Sequence, residues 1–204
     1  MGLPENHTRF KDLCRKLVQP LENMSAVEDE IDVPVMEDEH LLENLRQTAY
    51  RLDLYTDEDN CLQFINANPD KKIFLAISGS MGQTFIPKIF DLPQIEGFIV
   101  YCGNKQIHGE WAKEYVEKLK AIVDFPDDFL YHMAKSSISD YLETKGDNYM
   151  AERETFQAKN CYAWSKKLLI RAGKYGKFNI NSELKQINKK IERAERGLEE
   201  VSQS

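Results

Sequence analysis

Two short segments hold the side chains with the most chemical reach. In Cys102-Gly103-Asn104-Lys105, followed by His108 and Glu110, a thiol stands six residues ahead of an imidazole. An imidazole that takes the thiol proton leaves a thiolate able to attack a carbonyl, which is the logic of thiol hydrolases. His108-x-Glu110 also pairs two metal donors. A zinc site needs three or four protein ligands, however, and the sequence offers no further ones beside this pair, so no metal is expected. In Ser78-Gly79-Ser80-Met81-Gly82, two glycines would let the backbone approach an anion while the following helix offers its free N–H groups. Ser78, Gly79, Ser80 and Gly82, joined by Cys102 and Asn104, form the candidate ligand-binding set. The run lacks the Lys-Ser/Thr of a Walker A loop and the spacing of the dinucleotide fingerprint, so no cofactor is expected. Each residue also has a plainer role: Ser80 as a helix cap in a tight turn, Cys102 as a half-buried packing group, Trp111 and Trp164 as core.

These residues need a scaffold that brings their loops together. Lys72–Ile77, Phe98–Tyr101 and Ala121–Phe125 are short, nearly continuous apolar runs, the pattern of strands buried on both faces. Strands are predicted near 72–77, 98–102 and 120–124, with Leu52–Tyr55 as a further one. Helix-length segments separate them. Asp57 or Asp59 caps a helix that buries Cys61, Leu62, Phe64 and Ile65. A second helix carries Phe85, Ile86, Ile89 and Phe90, and a third, over about 108–118, carries Trp111, Ala112, Tyr115 and Val116. Short strands alternating with helices predict right-handed crossovers and a parallel sheet. Ligands in such sheets sit beyond the carboxyl ends of the strands, where both segments fall as neighbours.

The domain holding them is expected to span 38–126, opening with a helix over about 38–50. Residues 1–37 read as an N-terminal amphipathic helix (5–24) and an acidic linker in which Ile31–Met36 could pair as an edge strand. Residues 127–204 read as a helical extension: helices over 127–145 and 147–172 joined at Gly146, then a terminal helix over 182–203 capped by Ser182. Leu184, Ile187, Ile191, Ala194, Leu198 and Val201 line one stripe of that last helix, an a/d seam of fewer than three heptads. Such a helix needs a dock. The hairpin of the same chain is the favoured one, and the same helix in a second copy, giving a homodimer, is the other. A protein partner through this tail is expected.

The formal net charge of −7 argues against non-specific nucleic-acid binding, which recruits clustered Lys and Arg. Cys14, Cys61, Cys102 and Cys161 form no Cys-x-x-Cys pair, which fits reduced thiols in a cytoplasmic protein. No apolar run reaches membrane-spanning length, so no membrane partner is expected.

The centre of the chain resembles an α/β module found in large multidomain invertebrate proteins, where it precedes ADP-ribosyltransferase domains or tetratricopeptide repeats. The resemblance rests on Asp59-x-Cys61-x-x-Phe64-Ile65, Ile73–Ile77 with Ser78–Gly82, and Ile86-Pro87. It continues through Leu92-Pro93-Gln94-Ile95, Ile99-x-Tyr101-Cys102-x-Asn104-Lys105 and Trp111-Ala112-Lys113, covering about 50–125 and loosely the helices to 172. It implies a small flavodoxin-like topology and a signalling or adaptor role, and it transfers no catalytic residue. Two fainter likenesses concern the site. Strand-Ser-Gly followed by strand-Tyr-Cys-Gly is similar to a caspase core, but Ser78-Gly79-Ser80 lacks the histidine. Trp111-Ala112-Lys113-Glu114 is similar to the Trp-Cys-x-x-Glu segment of Toll/interleukin-receptor domains, some of which cleave NAD, which would make Glu114 catalytic. Tyr141, Gly146, Asp147, Ala151 and Ala158 are spaced like one tetratricopeptide hairpin.

The expected fold is therefore α/β, a small flavodoxin-like parallel sheet of receiver, Toll/interleukin-receptor or caspase type with a helical C-terminal extension. The expected function is a non-enzymatic interaction or signalling module. The alternatives are a small-ligand or nucleotide-binding domain using Ser78–Gly82, and an NAD-cleaving or thiol hydrolase using Cys102, His108 or Glu114.

Overall fold

The computed structural model describes Asp53, residues 55–175 and residues 178–202. The expected helix over 5–24, the acidic linker with Ile31–Met36 and the helix over 38–50 lie outside the described residues. The chain divides into two compact units, one spanning Leu52–Met133 and one containing Ala134–Ser204. Among the described residues, no helix is long and apolar enough to cross a membrane.

The first unit runs α1 (Glu58–Ala67), β1 (Ile73–Ser78), α2 (Gly79–Ile89), β2 (Ile95–Tyr101), α3 (Lys105–Ala112), β3 (Leu119–Val123) and α4 (Pro126–Met133). A single 3₁₀ turn, Lys113–Tyr115, follows α3. The strands form one parallel sheet in the order β1-β2-β3, an α/β arrangement consistent with a small flavodoxin-like fold. Ser78 pairs with Tyr101 and Tyr101 with Val123, so the three carboxyl ends finish level with one another. The three predicted strands are all present. Asp53 and Tyr55 are not in a strand. Tyr55 packs its ring on Phe64 instead, with centroids 5.6 Å apart.

Apolar burial holds this unit together. Phe98, Ile99 and Val100 of the central strand are fully buried, and Ile65, Phe85, Ile86, Ile89 and Ile95 share one core cluster with Phe98 and Val100. Of the two proposed caps for α1, Asp57 acts, accepting from the Asn60 backbone N–H at 2.9 Å. Glu58 accepts from Thr84 and from Lys88, both at 2.6 Å, tying α1 to α2. Those bonds hold its carboxyl below the ordinary range. Half-buried Lys118 donates to the carbonyls of Phe90 at 2.5 Å and Leu92 at 3.0 Å, where the chain leaves α2 for β2. Lys118→Met keeps the stem and leaves the Phe90 carbonyl unpaired, while the Leu92 carbonyl keeps its bond from the Ile95 N–H at 3.1 Å. It should cost about 1–3 kcal/mol in urea denaturation, since an orphaned buried acceptor carries its full desolvation penalty.

The α/β unit does not end at residue 126 as expected. Phe129 and Leu130 of α4 are buried, and the Phe129 ring meets Tyr101 of β2 edge-on at 5.6 Å, so this helix belongs with the sheet.

The second unit, among the described residues, comprises a π-helical turn (Ala134–Ser139), α5 (Asp140–Ala151), α6 (Thr155–Tyr175) and α7 (Asn181–Ser202). Gly146 is not the joint between helices. It lies inside α5, where a Cβ would come within 2.5 Å of the Tyr162 ring of α6, so glycine makes room for the tyrosine. The turn is at Glu152–Glu154, with Arg153 in the left-handed region at φ 64°. Tyr162 donates to Asp147 at 2.7 Å. Lys190 of α7 reaches Asp147 at 2.8 Å and Glu143 at 3.2 Å, and lies 5.5 Å from the Tyr162 ring centre. Burial works against the Lys190 charge, but these carboxylates more than offset it and hold the ammonium above the ordinary lysine range. α7 starts at Asn181, so Ser182 lies inside the first turn and is not the cap; Asn179, two residues ahead of the helix, accepts from the Asn181 N–H at 3.1 Å.

The seam of α7 packs within the chain from Leu184 to Ala194. Ile187, Ile191 and Ala194 are buried against Ala158, Tyr162 and Leu169 of α6. A Cβ on Gly197 would stand 2.7 Å from the Thr155 methyl, which marks a close helix approach at the start of α6.

Candidate functional site

The carboxyl edge of the sheet gathers Ser78 at the end of β1, Cys102 to Lys105 after β2, and Asp124 and Phe125 after β3. Ser78–Gly82 is not a loop. β1 passes straight into α2, Ser78 rather than Ser80 supplies the cap, and its hydroxyl accepts from the Met81 N–H at 3.4 Å. Ser80 is exposed. Gly79 and Gly82 sit one helical turn apart on the face that meets α3, where His108 and Trp111 are likewise one turn apart. A Cβ on Gly79 would fall 2.5 Å from the His108 ring, and one on Gly82 would fall 2.9 Å from the Trp111 ring. Each glycine is a socket and each ring fills one. The Trp111 indole N–H donates to His108 Nδ1 at 3.2 Å, which fixes the imidazole as an acceptor at that nitrogen. Trp111, Tyr115 and Phe90 continue the row, with centroids 6.3 and 5.1 Å apart.

The second segment starts its helix earlier than expected. Asn104 caps α3, its side-chain oxygen accepting from the N–H groups of Gln106 at 3.1 Å and Ile107 at 3.2 Å. The helix therefore begins at Lys105 rather than 108, and only the 3₁₀ turn follows Ala112. Cys102 is 7% exposed and its backbone N–H donates to Val123 at 2.9 Å. Burial pushes the thiol above its ordinary pKa, partly offset by the Asn104 N–H, while the charge of Asp124 adds to the rise and Lys105 opposes it. Cys102 and His108 are not hydrogen bonded to each other, since the hydrogen bond of His108 goes to Trp111. Glu114 is exposed in the 3₁₀ turn, about 9 Å further along the helical path from His108 at 1.5 Å per residue. Among the described residues, no three His, Cys, Asp or Glu side chains cluster to hold a metal.

Two features of the edge went unread in the sequence. Lys105 and Asp124 form an ion pair at 2.7 Å that ties the start of α3 to the segment after β3. Phe125 and Ile107, beside that pair, are 63% and 59% exposed. The signal was available in Asp124-Phe125-Pro126-Asp127-Asp128, an aromatic among carboxylates directly after an apolar strand.

Comparison with protein-family models, with curated proteins and with solved structures found no match. What fold and site define is a small parallel α/β unit whose carboxyl edge is packed by its own side chains.

The thiols give a direct check on the edge. Burial, with a contribution from Asp57, pushes the Cys61 thiol up to about 11 from 9.0. A raised pKa favours the protonated form in the folded state, so this contribution to stability is complete below pH 9 and is lost as pH rises towards about 11. At pH 8, iodoacetamide should label Cys61 and Cys102 at least about tenfold more slowly in the native protein than in urea, because only the thiolate reacts. Mass spectrometry of timed samples reads both sites. A Cys102 that labels faster when folded would contradict the assignment.

Proposed function

We propose that the chain is a non-enzymatic interaction and signalling module that works in the cytoplasm. The observation that carries this reading is the occupation of both glycine sockets by the protein's own His108 and Trp111 rings. A backbone cradle for an anion needs those places open. A thiol hydrolase needs an imidazole beside a cysteine of lowered pKa, whereas burial raises that of Cys102 and His108 is bonded elsewhere. Free thiols at Cys61, Cys102 and Cys161 accord with a reducing compartment.

Titrating the full chain with orthophosphate and with NAD, while following the backbone amide resonances of Gly79, Ser80 and Gly82 by NMR, tests this reading. No saturable shift at these amides and no loss of NAD in the same sample are expected. Saturable shifts there, or NAD cleavage that Glu114→Gln abolishes, would overturn it.

A further inference from the structure

We propose that the carboxyl edge of the sheet, between Ile107 and Phe125, docks a basic segment of a partner protein that carries an apolar anchor. The proposal rests on the interaction reading above and adds to it the surface and the partner's chemistry. Four large hydrophobic side chains are markedly exposed among the described residues: Ile107, Val116, Phe125 and Phe156. Single exposed apolar residues are ordinary on a protein surface. Two of these four, however, fall on the one edge where parallel α/β sheets bind their ligands. They lie within two residues in sequence of the Lys105–Asp124 ion pair, which ties the first turn of α3 to the segment after β3. Segments already tied lose little conformational freedom on binding, so an exposed aromatic there is suited to be an anchor point.

Charge chooses the occupant. The segments leaving the three strands carry no charge after β1, Lys105 after β2, and Asp124, Asp127 and Asp128 after β3. Lys105 is taken by Asp124, which leaves Asp127 and Asp128 in the first turn of α4. The helix dipole offsets only about half a unit of that charge. The remaining negative field repels nucleic acid and anionic lipid, and it attracts Lys and Arg. A second copy of the chain is disfavoured by the same field, because each copy carries a net charge of −7 and would present the same carboxylates. A small anion is disfavoured too, with the glycine sockets already filled.

A random-peptide phage library selected on the immobilised full chain, followed by fluorescence anisotropy with the enriched peptides, tests the proposal. The expected winners combine Lys or Arg with Leu, Phe or Trp. Phe125→Ser and Asp127→Lys should each weaken them at least about tenfold, the effect of removing an anchor at an interface centre. Asp70→Lys makes the same change of charge on the turn before β1, beyond the opposite edge, and should stay within about twofold of wild type. Both altered edge positions are exposed at the start of α4, so both variants should stay folded, Phe125→Ser keeping or raising the melting temperature as a helix cap and Asp127→Lys lowering it slightly against the helix dipole. The proposal is overturned if no peptide is enriched, if the winners lack basic residues, if the edge substitutions leave binding intact, or if Asp70→Lys weakens it equally. Peptides that bind elsewhere would remove this surface and leave the interaction reading standing. NAD cleavage or ligand shifts at Gly79–Gly82 would instead remove that reading.

Discussion

Replacing Ile187 and Ile191 together with alanine should abolish the cooperative unfolding transition of the helical unit. The two side chains are 0% and 3% exposed and sit one turn apart in the centre of the α6–α7 contact. Each large-to-small change in such a core costs about 2–5 kcal/mol, through lost transfer free energy and the cavity left behind. Because they share a cavity the two costs need not add, but even the lower sum approaches the roughly 5–15 kcal/mol that stabilises a whole domain. Urea denaturation followed by circular dichroism checks the loss. Light scattering on the wild type and on each single variant separates the two docks considered for this helix. With Ile187 and Ile191 packed inside the chain, a single substitution should lower the melting temperature without changing the mass. A dimer that dissociates when Ile187 or Ile191 is truncated would show instead that the seam faces a second copy.

The next largest effect is expected at Gly82. A valine there directs its branched Cβ into the Trp111 ring at 2.9 Å and leaves 3.3 Å to the Ile77 methyl beneath. Overpacking of this kind typically costs about 1–3 kcal/mol. Replacing a helical glycine returns less than about 1 kcal/mol through propensity, so the net effect is destabilising. Gly79→Ala should be milder although its clash is nominally closer. His108 is half-buried and its ring can swing toward water, giving up the Trp111 hydrogen bond, whereas Trp111 is packed against the core cluster. Thermal unfolding of the two variants should therefore rank Gly82→Val well below Gly79→Ala.

The ranking also explains which parts of the molecule were legible in the sequence. The sheet was, because Ile73–Ile77 and Phe98–Tyr101 are too short and too apolar for anything but buried strands between helices, and their parallel order follows from the crossovers. The terminal helix was legible too, since its apolar positions keep helical spacing from Leu184 onward. Glycine was one source of error. Gly79, Gly82 and Gly146 each read as chain breaks, yet all three lie inside helices, opposite His108, Trp111 and Tyr162. A glycine placed for close packing is indistinguishable from a turn glycine until its opposite number is known. One clue was present: Gly79-x-x-Gly82 and His108-x-x-Trp111 share the same three-residue spacing. The end of the α/β unit was misplaced for a related reason. Pro126 looks like a terminator, but at the first position of a helix it is favoured, and Phe129 then returns to the sheet.

The socket assignment underlies both the rejection of an anion cradle and the choice of the outer edge as the contact surface, and a double-mutant cycle tests it most directly. Unfolding free energies of wild type, Gly82→Val, Trp111→Leu and the double variant would be measured under identical conditions. If Trp111 fills the place of a Gly82 side chain, the cost of valine should fall by about 1–2 kcal/mol once the indole is removed, within the usual range for residues in contact. Costs that simply add, to within about 0.5 kcal/mol, would mean that the indole does not occupy the socket, and would contradict the account.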